Sequence, residues 1–248
     1  PKSNLVIIIG LLGKRLITLC RILQKIKYIN INFLSVRLIG RLFFYKTAYC
    51  MILKNFIVLE GLDGSGTTTQ LKELAKNLEN SYATCEPTDG HIGKLIKRIL
   101  KKEICVDPLT LAYLFSADRN EHLYSVEGIE ERCNNGQLVI SDRYLFSSLA
   151  YQSLYCDFED ILLLNEKFPL PEIVFFINTD PSLCLRRIQN RSQVNEIFDS
   201  LEIQKNVLSN YLKSFDLLKE KGLKILNIDG SLTVEKILEI ELSYIKNR

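Results

Sequence analysis

Short apolar runs alternate with longer stretches of helical spacing through most of this chain. The pattern predicts strands at Asn55–Glu60, Ser81–Cys85, Gln137–Ser141, Glu172–Asn178 and Leu223–Ile228. Most are continuous in Val, Ile, Leu or Phe, as expected for parallel strands covered on both faces. Leu71, Leu74, Ala75 and Leu78 mark one face of a helix, and Ile92, Leu95, Ile96 and Ile99 mark another. Further helices are predicted over Leu109–Glu121, Ile129–Cys133, Tyr144–Tyr155, Phe158–Phe168, Leu183–Gln189, Ile197–Leu218 and Val234–Ile245. Asn134-Asn135-Gly136 is a helix stop, and Asp180-Pro181-Ser182 is a helix start. The alternation specifies an α/β fold: three layers, α/β/α, around a five-stranded parallel sheet. Ligands are then expected at the carboxyl ends of the strands.

The first fifty residues break this pattern. They carry nine Lys or Arg and no Asp or Glu, and the only methionine of the chain, Met51, follows them. Met51 lies just before the first strand, so we read it as the start of the working domain, residues 51–248, with residues 1–50 a basic, apolar extension upstream of it. The apolar run Leu5–Leu12 is too short to span a bilayer, and no membrane partner is expected. The remaining 23 of the 32 basic side chains face all 29 acidic ones, a net of −6 for the domain. A mildly acidic body lacks the electrostatic footprint of a nucleic-acid binder. The seven cysteines are scattered without a C-x-x-C pair, which points to thiols in a reducing cytoplasm rather than to zinc or a disulfide framework.

The chemistry begins where the first strand ends, at Glu60-Gly61-Leu62-Asp63-Gly64-Ser65-Gly66-Thr67-Thr68. A strand, a glycine-rich turn and a helix opened by hydroxyl residues make a phosphate-binding loop, whose amides converge on an anion at a helix N-terminus. Residues Gly61, Leu62, Asp63, Gly64, Ser65, Gly66, Thr67 and Thr68 are therefore expected to bind ATP. Thr68 occupies the hydroxyl position that ligates Mg²⁺, and the short carboxylates Asp63 and Asp142, at the ends of the first and third strands, are candidates for the same ion. Arg143 offers a planar fork to an acceptor phosphate. Phe115 and Arg119 are four residues apart on one helix, so together they can stack a base and bond its edge. Tyr151 follows Arg143 by eight residues and can face the same cleft.

As an ordered set, Glu60-Gly-Leu-Asp-Gly-Ser-Gly-x-Thr-Thr-Gln70, Glu86-Pro87, Phe115-x-Ala-Asp-Arg119-x-x-His122, Asp142-Arg-Tyr144 and Ala150-Tyr-Gln152 resembles thymidylate kinase from Met51 onward. The resemblance implies a P-loop kinase fold with strand order 2-3-1-4-5, a homodimer, and transfer of the γ-phosphate of ATP to dTMP with Mg²⁺. It implies that Phe115 stacks on thymine, Arg119 bonds the base edge, Arg143 grips the dTMP phosphate and Tyr151 closes over the deoxyribose. Asp63 would sit by the sugar 3′-hydroxyl and the metal, with Glu86 in the same substrate-binding set.

Three departures from the family pattern concern charge. Its loop lysine is Thr67 here, a loss on the order of 3 kcal/mol in transition-state stabilisation, or about a hundredfold in rate. Cys85 and Ile197 stand where arginines are common. Arg187 and Arg191, four apart on one helix face, are expected to reach over the phosphates in catalysis, with Lys94 and Lys97 as further substitutes for the missing charge. A nucleotide-binding protein with weak or no kinase activity, or a kinase for another small nucleotide, is the alternative at this point.

Overall fold

A computed structural model describes residues 51–191 and 200–248; the upstream segment 1–50 and the stretch containing Ile197 lie outside the described residues. Strands β1 (Ile52–Gly61), β2 (Ser81–Cys85), β3 (Leu138–Asp142), β4 (Leu170–Asn178) and β5 (Ile225–Asp229) form one sheet in the order β2-β3-β1-β4-β5. Every pairing is parallel. The connecting helices are α1 (Thr67–Asn77), α2 (His91–Leu100), α3 (Pro108–Tyr124), α4 (Ile129–Asn134), α5 (Leu145–Tyr151), α6 (Phe158–Asn165), α7 (Pro181–Arg191), α8 (Leu201–Lys219) and α9 (Val234–Lys246). A 3₁₀ turn, Gln152–Leu154, follows α5. The fold class and strand order expected from the sequence are those observed.

The central strand shows why its sequence is apolar without alternation. Phe56, Ile57, Val58 and Leu59 are all fully buried, because helices cover both faces of the sheet. One face packs Ile57, Leu59, Ile140, Phe175 and Ile177 against Leu71 and Leu74 of α1 and Ile237 and Ile245 of α9.

Strand boundaries shift where helix ends or bulges intervene. β1 begins at Ile52 rather than Asn55 because the pairing with β4 runs on past an irregularity between Leu53 and Ile57. Asn55 adopts φ 62° there and donates its amide to Glu172 Oε2 at 2.8 Å. Gln137 drops out of β3 because its amide closes α4 on the Arg132 carbonyl, with Gly136 at φ 79° supplying the left-handed cap. Leu223 leaves β5 for the same reason, bonding back to Leu218 after Gly222 at φ 92°.

Candidate active site

Between β1 and α1 the chain makes its phosphate loop. Gly64 has φ 86°, and a Cβ there would come 2.5 Å from the Cys184 carbonyl, so glycine alone lets α7 lie this close. Gly66, at φ 113°, is the N-cap of α1 and no side chain caps the helix. The Ser65 amide closes the turn on the Leu62 carbonyl at 2.9 Å. Among the described residues, the amides of Gly66, Thr67 and Thr68 take no part in the backbone bonds of the loop. Unclaimed amides at a helix N-terminus form an anion cradle.

Thr67 is buried at the first turn of α1. The sequence expects Arg187 over the phosphates; its guanidinium bonds carbonyls of the phosphate loop itself. Arg187 Nη1 donates to the carbonyls of Ser65 at 3.1 Å and Gly64 at 3.4 Å, and Nη2 donates to the Gly230 carbonyl at 3.1 Å. A cation bonded to two carbonyls of the loop helps fix its backbone. Lys97 pairs with exposed Asp89 at 2.6 Å. Of Arg191 the structure gives only its place as the last residue of α7. Restoring a cation on the amide side is therefore informative: we expect Thr67→Lys to raise kcat at saturating ATP by about tenfold. Steady-state kinetics check it, and a fall in kcat would mean that another group already fills that space.

The third strand delivers the opposite wall. Thr68 Oγ1 donates to Asp142 Oδ2 at 2.5 Å. Asp142 Oδ1 is buried and has no hydrogen-bond partner among the described residues. This pair of oxygens, one hydroxyl and one orphaned carboxylate atom beside a phosphate cradle, suits a hard divalent cation. Asp63, the other predicted metal ligand, is engaged elsewhere: its Oδ1 accepts from Arg143 Nη2 at 2.6 Å.

Arg143 sits just past β3 at φ 76°, a left-handed backbone conformation costly for a residue with a side chain. Its amide bonds the Leu59 carbonyl at 2.9 Å. Its Nη1 donates to the Gly61 carbonyl at 2.6 Å, Tyr211 Oη at 2.9 Å and Ser147 Oγ at 3.2 Å. Beneath it lies Glu60, fully buried at the end of β1, with its pKa raised to about 7. Burial drives that rise; the charge of Arg143 and the bonds from Ser147, Tyr211 and the Tyr144 amide oppose it.

Asp63, Glu86, Phe115, Arg119, Arg143 and Tyr151 all line one cavity of about 150 Å³. The structure thus brings together every residue predicted to contact the acceptor. Tyr151 Oη accepts the Asp63 amide at 3.0 Å, and burial holds its phenol neutral by pushing the pKa well above the ordinary value. Arg119 is fully buried, ion-paired with Glu86 at 2.7 Å and bonded to Asn165 and Ser148. Glu86 also meets His122 Nδ1 at 3.2 Å, and His122 Nε2 meets Thr84 Oγ1 at 2.6 Å, so this histidine is structural. Asp118, whose sequence position suggests a brace for Arg119, instead holds the Thr88 amide and hydroxyl at 2.8 and 2.7 Å. Arg119 Nε and Gln152 Oε1 are buried without partners among the described residues. Both residues line the cavity, although these two atoms are themselves buried.

Ser147, Ser148, Asn165 and Tyr211 are site residues that sequence reasoning misses. Tyr211 reads as a core aromatic, because Val207, Tyr211, Phe215 and Leu218 share one buried helix face. Only the arrival of its hydroxyl among Glu60, Gly61 and Arg143 reveals another role.

Residues 59–239 match the family model described as thymidylate kinase. A putative thymidylate kinase of Treponema pallidum is 36% identical over 200 residues, covering 79% of this chain and 96% of the relative. A probable thymidylate kinase of Methanococcus vannielii is 37% identical over 194 residues, covering 76% of this chain and 94% of the relative. Among solved structures, a thymidylate kinase from Candida albicans shares the fold with a TM-score of 0.67 at 24% identity, over 78% of this chain and 92% of its own. With this match over residues 59–239 and relatives 36–37% identical over most of their length, the chain belongs to the thymidylate kinase family.

Proposed function

We propose that this chain transfers the γ-phosphate of ATP to dTMP, forming dTDP and ADP. A 5′-phosphate oxygen of dTMP attacks the γ-phosphorus, and the bond from that phosphorus to the β-bridging oxygen breaks. The unclaimed amides of Gly66, Thr67 and Thr68, within the loop 61–68, hold the donor polyphosphate. Arg143 neutralises and aims the acceptor phosphate. Thr68 and Asp142 would hold Mg²⁺, which supplies charge neutralisation on the transferring group. Phe115 provides a stacking face for thymine. Arg119 and Gln152, which line the same cavity, supply polar groups beside the base. Tyr151 shields the sugar.

The observation that carries this reading is the ion pair between Asp63, in the donor loop, and Arg143, in the acceptor cavity, at 2.6 Å. That contact sets the two phosphates side by side, as in-line transfer requires. A coupled assay with ATP, Mg²⁺ and a panel of dTMP, dUMP, dGMP and thymidine tests it. We expect dTMP to be preferred by about tenfold or more, since the discriminating contacts are a hydrogen-bonded edge and a closely packed wall. Tight ATP binding without dTDP formation would overturn the assignment.

Among the described residues no helix is long and apolar enough to cross a membrane. A cytoplasmic homodimer completes the proposal. Leu109, Tyr113 and Tyr124 are all more than a third exposed along one face of α3, an apolar surface suited to a second copy.

A further inference from the structure

We propose that Tyr211 is a positioning residue for the acceptor-phosphate clamp: its hydroxyl holds Arg143 at the mouth of the phosphate loop and ties that clamp to helix α8. The inference rests on the reading of Arg143 as the group that grips the acceptor phosphate.

The geometry is a closed set of bonds around one phenol oxygen. Tyr211 Oη donates to Glu60 Oε2 at 2.8 Å, with the Gly61 carbonyl at 3.2 Å as a second acceptor. The same oxygen lies 2.8 Å from Ser147 Oγ and accepts from Arg143 Nη1 at 2.9 Å. Ser147 Oγ donates to Glu60 Oε2 at 2.7 Å, closing the ring. Tyr211 is fully buried, and its pKa is held well above the ordinary value first by burial and then by Glu60, so the phenol stays protonated. It is the one side chain of α8 in this ring, which otherwise draws on β1, the β3–α5 turn and the first turn of α5.

A guanidinium carries five N–H donors. Gly61 O, Tyr211 Oη and Ser147 Oγ together occupy both protons of Nη1 of Arg143, and Asp63 takes one from Nη2. The second Nη2 proton and Nε–H have no partner among the described residues. They are what remains for an incoming phosphate. Tyr211 therefore acts on the edge of the fork that does not bind substrate, and it fixes the direction in which the other edge points. Its ring is also wedged edge-on against Tyr151, at 6.2 Å between centroids, and tilted against Phe176 and Phe215, so the hydroxyl cannot drift. Without it, the remaining acceptors on Nη1 are a carbonyl and a serine that already serves Glu60, and the fork gains rotational freedom.

The test is Tyr211→Phe, which deletes one oxygen and keeps the packing. We expect KM for dTMP to rise by about fivefold, the worth of one hydrogen bond, while KM for ATP stays within about twofold. Combining Tyr211→Phe with Arg143→Lys should add less than about twofold to the dTMP defect of Arg143→Lys alone, because the fork that Tyr211 orients is gone. A purely structural hydroxyl would shift both KM values together and would add fully to Arg143→Lys. An unchanged KM for dTMP in Tyr211→Phe, alongside a large rise in Arg143→Lys, overturns the positioning role and leaves the clamp intact. If Arg143→Lys itself leaves dTMP kinetics unchanged, the reading of Arg143 as the clamp fails, and the positioning role fails with it. Ser147→Ala guards against misfolding of the phenylalanine variant. It removes a neighbouring hydroxyl of the same ring, and the same selective rise in KM for dTMP, about threefold, is expected; equal rises for both substrates would count against the proposal.

Discussion

Arg143→Ala lowers kcat/KM for dTMP by about a thousandfold, or ~4 kcal/mol of transition-state stabilisation. The magnitude follows from what this chain lacks. With threonine at position 67, no cation contributed by the loop itself neutralises the charge that builds between donor and acceptor. Arg187 acts on the carbonyl side of the loop. Arg143 therefore carries a larger share of the electrostatic work than one arginine among several would. It is also held in place by strong contacts: a charge-assisted bond to Asp63 at 2.6 Å and another to the Gly61 carbonyl at 2.6 Å. Arg143→Lys keeps the charge and loses the fork, so we expect an intermediate loss of about thirtyfold. A coupled assay at varied dTMP and saturating ATP measures both. Activity within about threefold of wild type in the alanine variant would remove Arg143 from the mechanism.

Glu241→Leu stabilises the protein, by about 3 kcal/mol at pH 8 and by far less at pH 5. Glu241 lies fully buried on α9, with neither carboxylate oxygen bonded to any described residue. Burial raises its pKa from 4.5 to about 8. The folded state then binds the proton more tightly than the unfolded chain does. That stabilising preference is fully present below about pH 4.5 and is lost progressively as the pH rises to about 8, the range in which the unfolded carboxylate is ionised and the folded one is not. Leucine removes both the proton linkage and the unpaired polar group. Glu60 adds a similar slope up to about pH 7, but it does so in both proteins, so the difference between variant and wild type isolates Glu241. Urea unfolding at pH 5, 7 and 8.5 measures it. A stability difference that does not change with pH would mean that Glu241 is ionised in the folded protein.

Glu60 and Glu241 illustrate two uses of a buried acid in one fold. Glu60 has four donors around it and organises the clamp. Glu241 has no partner among the described residues and only taxes stability. A helical pattern that reads Glu as solvent-facing misses Glu241, because sequence periodicity reports which face is apolar and not how deeply a neighbouring element covers the rest.

Much of this protein is legible along the chain because its signals are local. Continuous apolar runs require a sheet covered on both sides, and glycines at 61, 64 and 66 before a hydroxyl-led helix require a bent loop with converging amides. A spacing of four places Phe115 and Arg119 on a common helix face, and Tyr151, eight residues after Arg143, can reach the same cleft. Those constraints determine the α/β class, the strand-loop-helix turn and part of the cavity lining, but not Ser147 or Ser148. What each side chain does there was settled only by contacts across long sequence separations. Arg187 lies on the carbonyl side because α7 packs within van der Waals reach of Gly64. Asp118 holds Thr88, while Glu86 and Asn165 bond Arg119. Tyr211 joins the site because α8 crosses beneath the loop 151 residues from Glu60 in sequence. Partner choice among buried polar groups depends on which competitors arrive at the same few ångströms, and that is a property of the packed molecule, not of any local segment.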